Sequence, residues 1–232
     1  MKKGHKNTTL KTAFLATIPV MTGYLVLGMG FGIILDSRGY GVLWSFLMSF
    51  LIYAGSMQYL AVDLLTAGAS LITAAFTTLM VNARHLFYGI SMTEKYKGLG
   101  AKKPYMIFAL TDETYSLVVN DNIPEGVDKK KYWFLVSLLD QFYWVAGSVI
   151  GSLIGSLIKF DTTGLDFALT ALFVTIFTDQ WLSTKNHTSA ITGLLATFVC
   201  LVIFGSGNFL IPSMILITVS LTLLKKTGRG GL

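Results

Sequence analysis

The sequence predicts an all-α fold, a polytopic membrane helix bundle of about eight hydrophobic segments, from three observations. Of the 232 residues, 53% are apolar and 13% are charged, and this charged fraction is about half that of an ordinary soluble domain. The mean hydropathy is +0.64. Long uncharged runs such as 191–202 are typical of spans in hydrocarbon. We therefore expect a single transmembrane domain over 1–232.

The charge pattern and the motifs present argue against several classes of function. The net charge of +6 comes from basic residues in separate loop clusters, which is typical of membrane topology signals and argues against a nucleic-acid partner. A single cysteine, Cys200, excludes an intramolecular disulfide and a multi-cysteine metal site. No phosphate-binding glycine loop, zinc-protease motif or nucleophile elbow occurs, so we expect no enzyme activity, metal or cofactor.

Eight apolar segments follow one another along the chain, each bounded by charged or turn-forming residues. In order they cover 10–35, 41–62, 67–92, 104–119, 132–158, 164–182, 188–204 and 208–224. The first follows a lysine-rich stretch and is longer than a signal-peptide core, so we expect it to be a retained helix. The last two are separated only by Gly205, Ser206 and Gly207, and each is short for a span.

The positions of the basic residues predict that the second and sixth segments are broken. The positive-inside rule places the N-terminal lysines, 95–103 and 225–229 in the cytoplasm, so both termini should be cytoplasmic. Three plain crossings would put 95–103 outside, whereas a second segment that enters and returns on one side, broken at 53–58, removes the conflict. A similar break near 178–180 returns the C-terminus to the cytoplasm. Eight plain spans with one misplaced lysine cluster remain the alternative.

The two halves of the chain, 10–120 and 131–226, resemble each other weakly. Both have a glycine-rich first helix, and both have a second segment that ends in glutamine and an aromatic residue, at 58–59 and 180–181. With the breaks above, the halves would run in opposite directions as inverted repeats, an arrangement from which many transporters build their substrate site. Similarity of composition alone is the alternative. The glycines also permit close helix contact, within this chain or with a partner: Gly28, Gly30, Gly32, Gly147, Gly151 and Gly155.

Several polar side chains lie inside the apolar segments, where a charged one costs on the order of 3 kcal/mol at a helix centre. Asp112 and Glu113 are expected near the centre of the fourth segment, and they would point about 100° apart on a helix. We therefore predict different roles for them, one toward a substrate path and one toward Arg84 or His85. The structural alternatives are snorkelling of Arg84 and His85 to the headgroups and an internal ion pair.

Three motifs occur in order at Tyr53-Ala54-Gly55-x-x-Gln58, Asn82-x-Arg84-His85-x-x-Tyr88-Gly89 and Leu110-Thr111-Asp112-Glu113. With them the chain resembles the AzlC family of bacterial branched-chain amino-acid exporters over most of its length. The resemblance implies an exporter of leucine, isoleucine, valine and related amino acids in the cytoplasmic membrane, working with a small hydrophobic AzlD-type subunit. Because no ATP-binding motif is present, we expect coupling to protons or to the membrane potential. A passive channel or a non-transporting membrane subunit is the alternative.

For an amino-acid substrate, the sequence predicts a site where the broken segments meet the fourth helix. The substrate carboxylate would bind backbone N–H groups at the half-helix starts, where the helix dipole favours negative charge, and its ammonium group would need an acidic acceptor. Histidine is a candidate proton relay. The predicted substrate-binding residues are Gly55, Ser56, Gln58, Asp112, Glu113, Thr178 and Gln180, and the predicted coupling or ion-pair residues are Asn82, Arg84, His85, Asp140 and Asp179.

Overall fold

The computed structural model describes residues 3–119, 123–157 and 184–226, together with 167, 170, 171, 174, 177, 178, 181 and 182. All regular structure in this part of the chain is helical, which confirms the predicted helix bundle. Two compact units, Met1–Leu169 and Thr170–Leu232, are present. The helices of the first unit are α1 (Lys3–Ser37), α2 (Val42–Leu51), α3 (Gly55–Thr66), α4 (Leu71–Met92), α5 (Lys103–Phe108), α6 (Asp112–Val119) and α7 (Lys129–Leu157).

Helix length agrees with a membrane protein. Among the described residues, Thr8–Ser37, Lys129–Leu157 and Thr188–Gly205 are long and apolar enough to cross a bilayer, and they correspond to the first, fifth and seventh predicted segments. Helix α4 has 22 residues and is about 33 Å long, which matches the hydrocarbon thickness by length. The helices α2, α3, α5 and α6 have 10, 12, 6 and 8 residues, so each is too short to span alone.

Helices α1 and α7 form the centre of the first unit and run in the same direction. The Thr17 Oγ1 lies 3.3 Å from the Tyr143 hydroxyl, and Ser152 Oγ donates to Asp36 Oδ1 at 3.4 Å. The later residue of α1 contacts the later residue of α7, so the two helices are parallel. We call the end of this unit where α1 begins the N-terminal end, and the other the opposite end.

Glycine sets the close contact between these two helices. A Cβ at Gly28 would lie 3.0 Å from the Ser148 backbone nitrogen, and Cβ atoms at Gly32 and Gly151 would overlap the carbonyl oxygens of Ser148 and Met29. Only residues without a side chain permit this approach. The sequence left open whether the glycine faces pack within the chain or against a partner. The structure shows that Gly28, Gly32, Gly147 and Gly151 pack within the chain.

The second segment is broken where the sequence predicts. Helix α2 ends at Leu51 and α3 begins at Gly55, and between them Tyr53 has a φ of 46°, a left-handed conformation that is uncommon for a bulky residue. Helix α2 runs antiparallel to α7, because Ser45 Oγ donates to Ser148 O at 2.8 Å while the Phe50 carbonyl accepts from Gln141 Nε2 at 3.0 Å. The α2 helix therefore enters from the opposite end.

The position and length of α4 show that α3 returns to the opposite end. Helix α4 finishes at the N-terminal end, where Met92 packs in one buried cluster with Ala13, Tyr132 and Trp133. Its length of about 33 Å places Leu71 at the opposite end, and residues 67–70 alone join Leu71 to α3. Segment two is therefore a re-entrant helical hairpin, α2–α3.

The fourth segment is also broken, which corrects the expectation of one continuous helix with Asp112 and Glu113 near its centre. Helix α5 ends at Phe108, and both acids lie in the first turn of α6. Helix α6 then returns to the N-terminal end, where Lys95 Nζ donates to the carbonyls of Val118 at 2.9 Å and Val119 at 2.7 Å. A second re-entrant hairpin, α5–α6, thus enters from the N-terminal end.

The hairpins bear on two topological expectations. A fourth segment that crosses once would put the loop after it on the opposite side of the membrane from 95–103, but Lys130 Nζ donates to Gly98 O at 3.0 Å, so the start of α7 and the loop after α4 share one end. Helices α1 and α7, the first helices of the two proposed halves, are parallel and not inverted. The inverted elements are the hairpins α2–α3 and α5–α6, which enter the first unit from opposite ends.

The second unit contains helices α8 (Thr188–Asn208) and α9 (Leu210–Lys226). Gly205 interrupts α8 with a φ of 70° and a ψ of 170°, at the break that the sequence predicts between the last two segments. These two helices pack together through apolar side chains that include Cys200, Ile203 and Ile215. The predicted break of the sixth segment, at 178–180, includes Asp179 and Gln180, which lie outside the described residues.

Candidate functional site

The two hairpin tips meet at an ion pair in the first unit. Arg84 Nη1 on α4 lies 2.7 Å from Asp112 Oδ2 at the start of α6, and Arg84 Nη2 donates to Ser56 Oγ at the start of α3 at 3.2 Å. Arg84 therefore binds an acid and does not snorkel, as the ion-pair alternative predicts. We call Ser56, Arg84 and Asp112 the tip site.

The tip site keeps unused hydrogen-bonding capacity. The side chains of Arg84 and Asp112 are 31% and 22% exposed. Arg84 Nε and Asp112 Oδ1 are themselves buried, and they form no hydrogen bond with any described residue. The first turn of α3 at Gly55 and Ser56 also presents backbone N–H groups that lack intrahelical acceptors. The site thus offers donors, one acceptor and a positive helix end in a small volume.

Gln58 fixes the break between α2 and α3. Its side chain is fully buried, and Oε1 accepts from the Ala54 N–H at 3.2 Å and from Trp144 Nε1 at 2.9 Å. Its Nε2 donates to Ser49 Oγ at 3.1 Å. Gln58 therefore joins the break to both α2 and α7, and its predicted role in substrate binding stays a prediction.

Glu113 and Asp140 bind hydroxyl groups, and neither forms an ion pair among the residues that the structure describes. The Tyr24 hydroxyl on α1 donates to Glu113 Oε2 at 2.6 Å. Asp140 is fully buried on α7, and its Oδ2 accepts from Thr114 Oγ1 at 2.8 Å. The two adjacent acids of α6 thus have different partners, Arg84 for Asp112 and Tyr24 for Glu113, as their predicted angular separation implies.

A cavity of about 190 Å³ lies between α4 and α5, and its lining includes His85 and Leu110, which are near Arg84 and Asp112 in the sequence. This volume equals that of about six water molecules. Burial raises the pKa of Tyr96 to about 12, so Tyr96 is neutral at physiological pH. The charged side chain in the lining is Lys103. The cavity runs from Lys103 at the N-terminal end to Leu110 beside the break; its lining is His85, Gly89, Met92, Thr93, Tyr96, Lys103, Ile107 and Leu110.

Other predicted residues lie outside the tip site. His85 Nδ1 contacts the carbonyl of Asn82 at 3.2 Å in its own helix, and its ring lines the cavity. Thr178 is in the second unit, where Oγ1 donates to Val174 O at 2.8 Å. Asp179 and Gln180 are outside the described residues. The roles proposed for these five residues stay predictions.

The sequence reasoning missed Tyr24, Thr111 and Thr114, which bind or approach the acids. Thr111 Oγ1 accepts from the Thr114 N–H at 3.3 Å, the geometry of a helix N-cap. Threonine followed by two acids is a sequence signature of a helix start, so Thr111-Asp112-Glu113 could have revealed the second break. Tyr24 had no comparable local signal.

Comparisons with known proteins place this sequence in a family. The sequence model of the AzlC family, described as "AzlC protein", matches residues 19–158, which include both hairpins and the tip site. The "Branched-chain amino acid transport protein AzlC" of Bacillus subtilis is 48% identical over 216 residues, which cover 93% of this chain and 85% of that protein.

More distant relatives extend the same similarity. An "Uncharacterized membrane protein" of Helicobacter pylori is 42% identical over 216 residues, covering 93% of this chain and 95% of that protein. The "Inner membrane protein YgaZ" of Escherichia coli is 28% identical over 189 residues, covering 78% of this chain and 77% of that protein. No solved structure matches the chain.

Proposed function

This chain belongs to the AzlC family, and from that premise we propose that it exports branched-chain or related small amino acids as a secondary active transporter. The name of the Bacillus subtilis relative supports the substrate class. The observation that carries the proposal is the Arg84–Asp112 pair at the meeting point of two re-entrant hairpins, because charges at such breaks form the substrate sites of many secondary transporters.

The tip site offers a partner for each charged group of an amino acid. The substrate carboxylate would bind the Arg84 Nε and the N–H groups at Gly55 and Ser56, where the helix dipole favours negative charge. The substrate ammonium would bind Asp112 Oδ1. The apolar side chain would lie toward Leu110 in the cavity beside the break. Release of a zwitterion would then restore the Arg84–Asp112 pair.

The protein is proposed to lie in the bacterial cytoplasmic membrane with the N-terminal end of the first unit in the cytoplasm. The loops at the opposite end, 38–41 and 67–70, contain one basic residue, Arg38. Seven lysines follow α4 or begin α5 and α7 at the N-terminal end, which agrees with the positive-inside rule: Lys95, Lys97, Lys102, Lys103, Lys129, Lys130 and Lys131. The cavity would then open toward the cytoplasm, as an exporter requires.

The proposal is tested in liposomes that contain the protein with its expected AzlD-type subunit. We expect saturable valine or leucine flux driven by an imposed gradient. The double variant Arg84→Gln/Asp112→Asn removes both charges, so its stability should be close to that of the wild type. Its flux should fall on the order of a hundredfold, because the substrate would lose both charged partners.

A matched control neutralises an exposed ion pair. Lys97 Nζ lies 2.6 Å from Glu94 Oε2, and a surface pair of this kind contributes little, so Lys97→Gln/Glu94→Gln should keep wild-type flux. Full flux by the Arg84/Asp112 double variant would mean that the pair is structural. Flux that never saturates would favour a channel, and no flux under any gradient would favour a non-transporting subunit.

A further inference from the structure

Three hydroxyl groups link Glu113 and Asp140, which form no ion pair within the described part of the chain. The Tyr24 hydroxyl donates to Glu113 Oε2 at 2.6 Å and lies 2.7 Å from Thr111 Oγ1. Thr111 Oγ1 donates to Thr114 Oγ1 at 3.2 Å, and Thr114 Oγ1 donates to Asp140 Oδ2 at 2.8 Å. Three hydroxyl protons serve the four contacts between Glu113 and Asp140, so the path is completely hydrogen-bonded when one of the two acids carries a proton. We call it the hydroxyl chain.

The buried end of the hydroxyl chain lacks the partners that a carboxylate requires. Asp140 has no exposed surface. Its Oδ1 makes no hydrogen bond with the described residues, and Thr114 supplies the hydrogen bond to Oδ2. An ionised carboxylate removed from water costs several kcal/mol unless it is paired and hydrogen-bonded. A bound proton on Asp140 removes that cost.

The groups that face these two acids are hydroxyls and another carboxyl. Asp140 faces Glu113 and three tyrosines, from the α2–α3 connection, from α5 and from α7 itself: Tyr53, Tyr105 and Tyr132. Glu113 faces Tyr24, Tyr53 and Tyr88. The nearby cation Arg84 is bound to Asp112. Within the described residues, no ion pair neutralises either Glu113 or Asp140.

We propose that the hydroxyl chain carries a proton between Glu113, beside the tip site, and Asp140, and that Asp140 is the proton-binding residue that couples transport to a proton gradient. This inference rests on the proposed function. The link to substrate is direct, since Glu113 follows Asp112 in the chain. An ammonium group at Asp112 would favour ionised Glu113 by its charge and so hold the proton on Asp140. When the substrate leaves, that proton would move along the hydroxyl chain to Glu113.

The transfer balances without any further reactant. With a proton on Asp140 Oδ2, the hydroxyls of Thr114 and Thr111 turn to donate toward Tyr24, which donates to Glu113. The O–H bond at Asp140 Oδ2 breaks as its proton passes to Thr114 Oγ1, and the Thr114 proton passes to Thr111 Oγ1. The Thr111 proton passes to the Tyr24 oxygen, and the Tyr24 proton forms a new O–H bond at Glu113 Oε2. Each hydroxyl gains one proton and loses one. The net change is one proton moved, an ionised Asp140 and a neutral Glu113, with no electron transfer.

Infrared spectroscopy of the purified protein tests the proton position without transport. At neutral pH we expect the carbonyl stretching band of a protonated carboxyl group, which the isosteric variant Asp140→Asn should remove. Thr114→Val, which lacks the hydroxyl bound to Oδ2, should shift that band. Thr17→Val is the control, because Thr17 is equally buried but bonds Tyr143 and the Phe14 carbonyl. An unchanged band in Asp140→Asn would overturn the proposal.

Transport in liposomes tests the coupling. Thr114→Val and Asp140→Asn should keep exchange of external labelled for internal unlabelled valine, since neither residue belongs to the tip site. Both variants should lose on the order of a hundredfold of transport driven by a pH gradient, together with substrate-dependent proton movement. Wild-type gradient-driven transport by both variants would overturn the hydroxyl chain as the coupling path. If the wild-type protein showed no valine flux, the proposed function would be overturned instead. The infrared band would still show whether Asp140 carries a proton.

Discussion

At the scale of single residues, the polar side chains of the first unit hold helix breaks in position. Gln58 satisfies the Ala54 N–H at the break and the Trp144 indole N–H on α7. Thr111 caps α6 at the other break. In hydrocarbon, water does not satisfy freed backbone groups, so side chains of the protein must do so. These residues therefore fix where each hairpin turns.

We predict that Gln58→Leu destabilises the protein. The leucine fits the volume approximately but leaves the Ala54 N–H and the Trp144 Nε1 without an acceptor, at about 1–3 kcal/mol for each buried group. The midpoint of thermal unfolding in detergent should fall by about 4 °C or more. Thr78→Val is the control, because the Thr78 hydroxyl is exposed and donates to Ala74 O within α4. A wild-type midpoint for Gln58→Leu would contradict the role of Gln58 at the break.

At the scale of the helices, α1 and α7 contact each other through backbone. Gly28, Gly32, Gly147 and Gly151 leave no space for side chains between the helices, so the two hairpins pack against a closely packed pair of long helices. Close contact of this kind is a principal source of helix association in membranes, where hydrophobic burial contributes little.

Two glycine variants of α1 are predicted to change stability in opposite directions. A methyl group at Gly32 would overlap Ser148 O and lie 2.5 Å from Ser152 N, so Gly32→Ala should cost about 1–3 kcal/mol through overpacking. At Gly23, no atom lies within 4 Å of the position that a Cβ would occupy, so Gly23→Ala should stabilise α1 by about 1 kcal/mol through helix propensity. Thermal unfolding measures both. Equal effects of the two variants would contradict the α1–α7 contact.

At the scale of the whole molecule, the hairpins decide which loops share a side of the membrane. Because α5–α6 enters and returns at the N-terminal end, the loops 93–102 and 123–128 lie together, as the 3.0 Å contact of Lys130 Nζ with Gly98 O shows. The loop 67–70 lies at the opposite end. All seven lysines between 95 and 131 then satisfy the positive-inside rule together.

Cysteine labelling in intact cells checks this topology. In a Cys200→Ser background, single cysteines at Gly100 and Glu125 should both resist a membrane-impermeant thiol reagent added outside and react after permeabilisation. A cysteine at Ala67 should react from outside. All three positions are exposed at loops, so access is limited by the membrane alone. Opposite labelling of positions 100 and 125 would restore a single span for the fourth segment.

The sequence by itself determined the class of protein and much of its local structure. Hydropathy identified the membrane helices, because transfer to hydrocarbon depends on each residue separately. Charge placement predicted the break at 53–58, and the family motifs contained Gln58, Arg84 and Asp112. Even the second break had a local signature, since Thr111 begins a helix with two acids.

The tertiary structure decided the directions of the helices and the pairing of side chains that are distant in sequence. Tyr24 and Glu113 are 89 positions apart in the chain, and no local pattern indicates that they meet. The parallel contact of α1 with α7 depends on how the intervening hairpins turn, so no local pattern indicated it. The relation between the two proposed halves stays a prediction. Hydropathy and charge report the preference of each segment for lipid or water, whereas partners and directions depend on packing between residues distant in sequence.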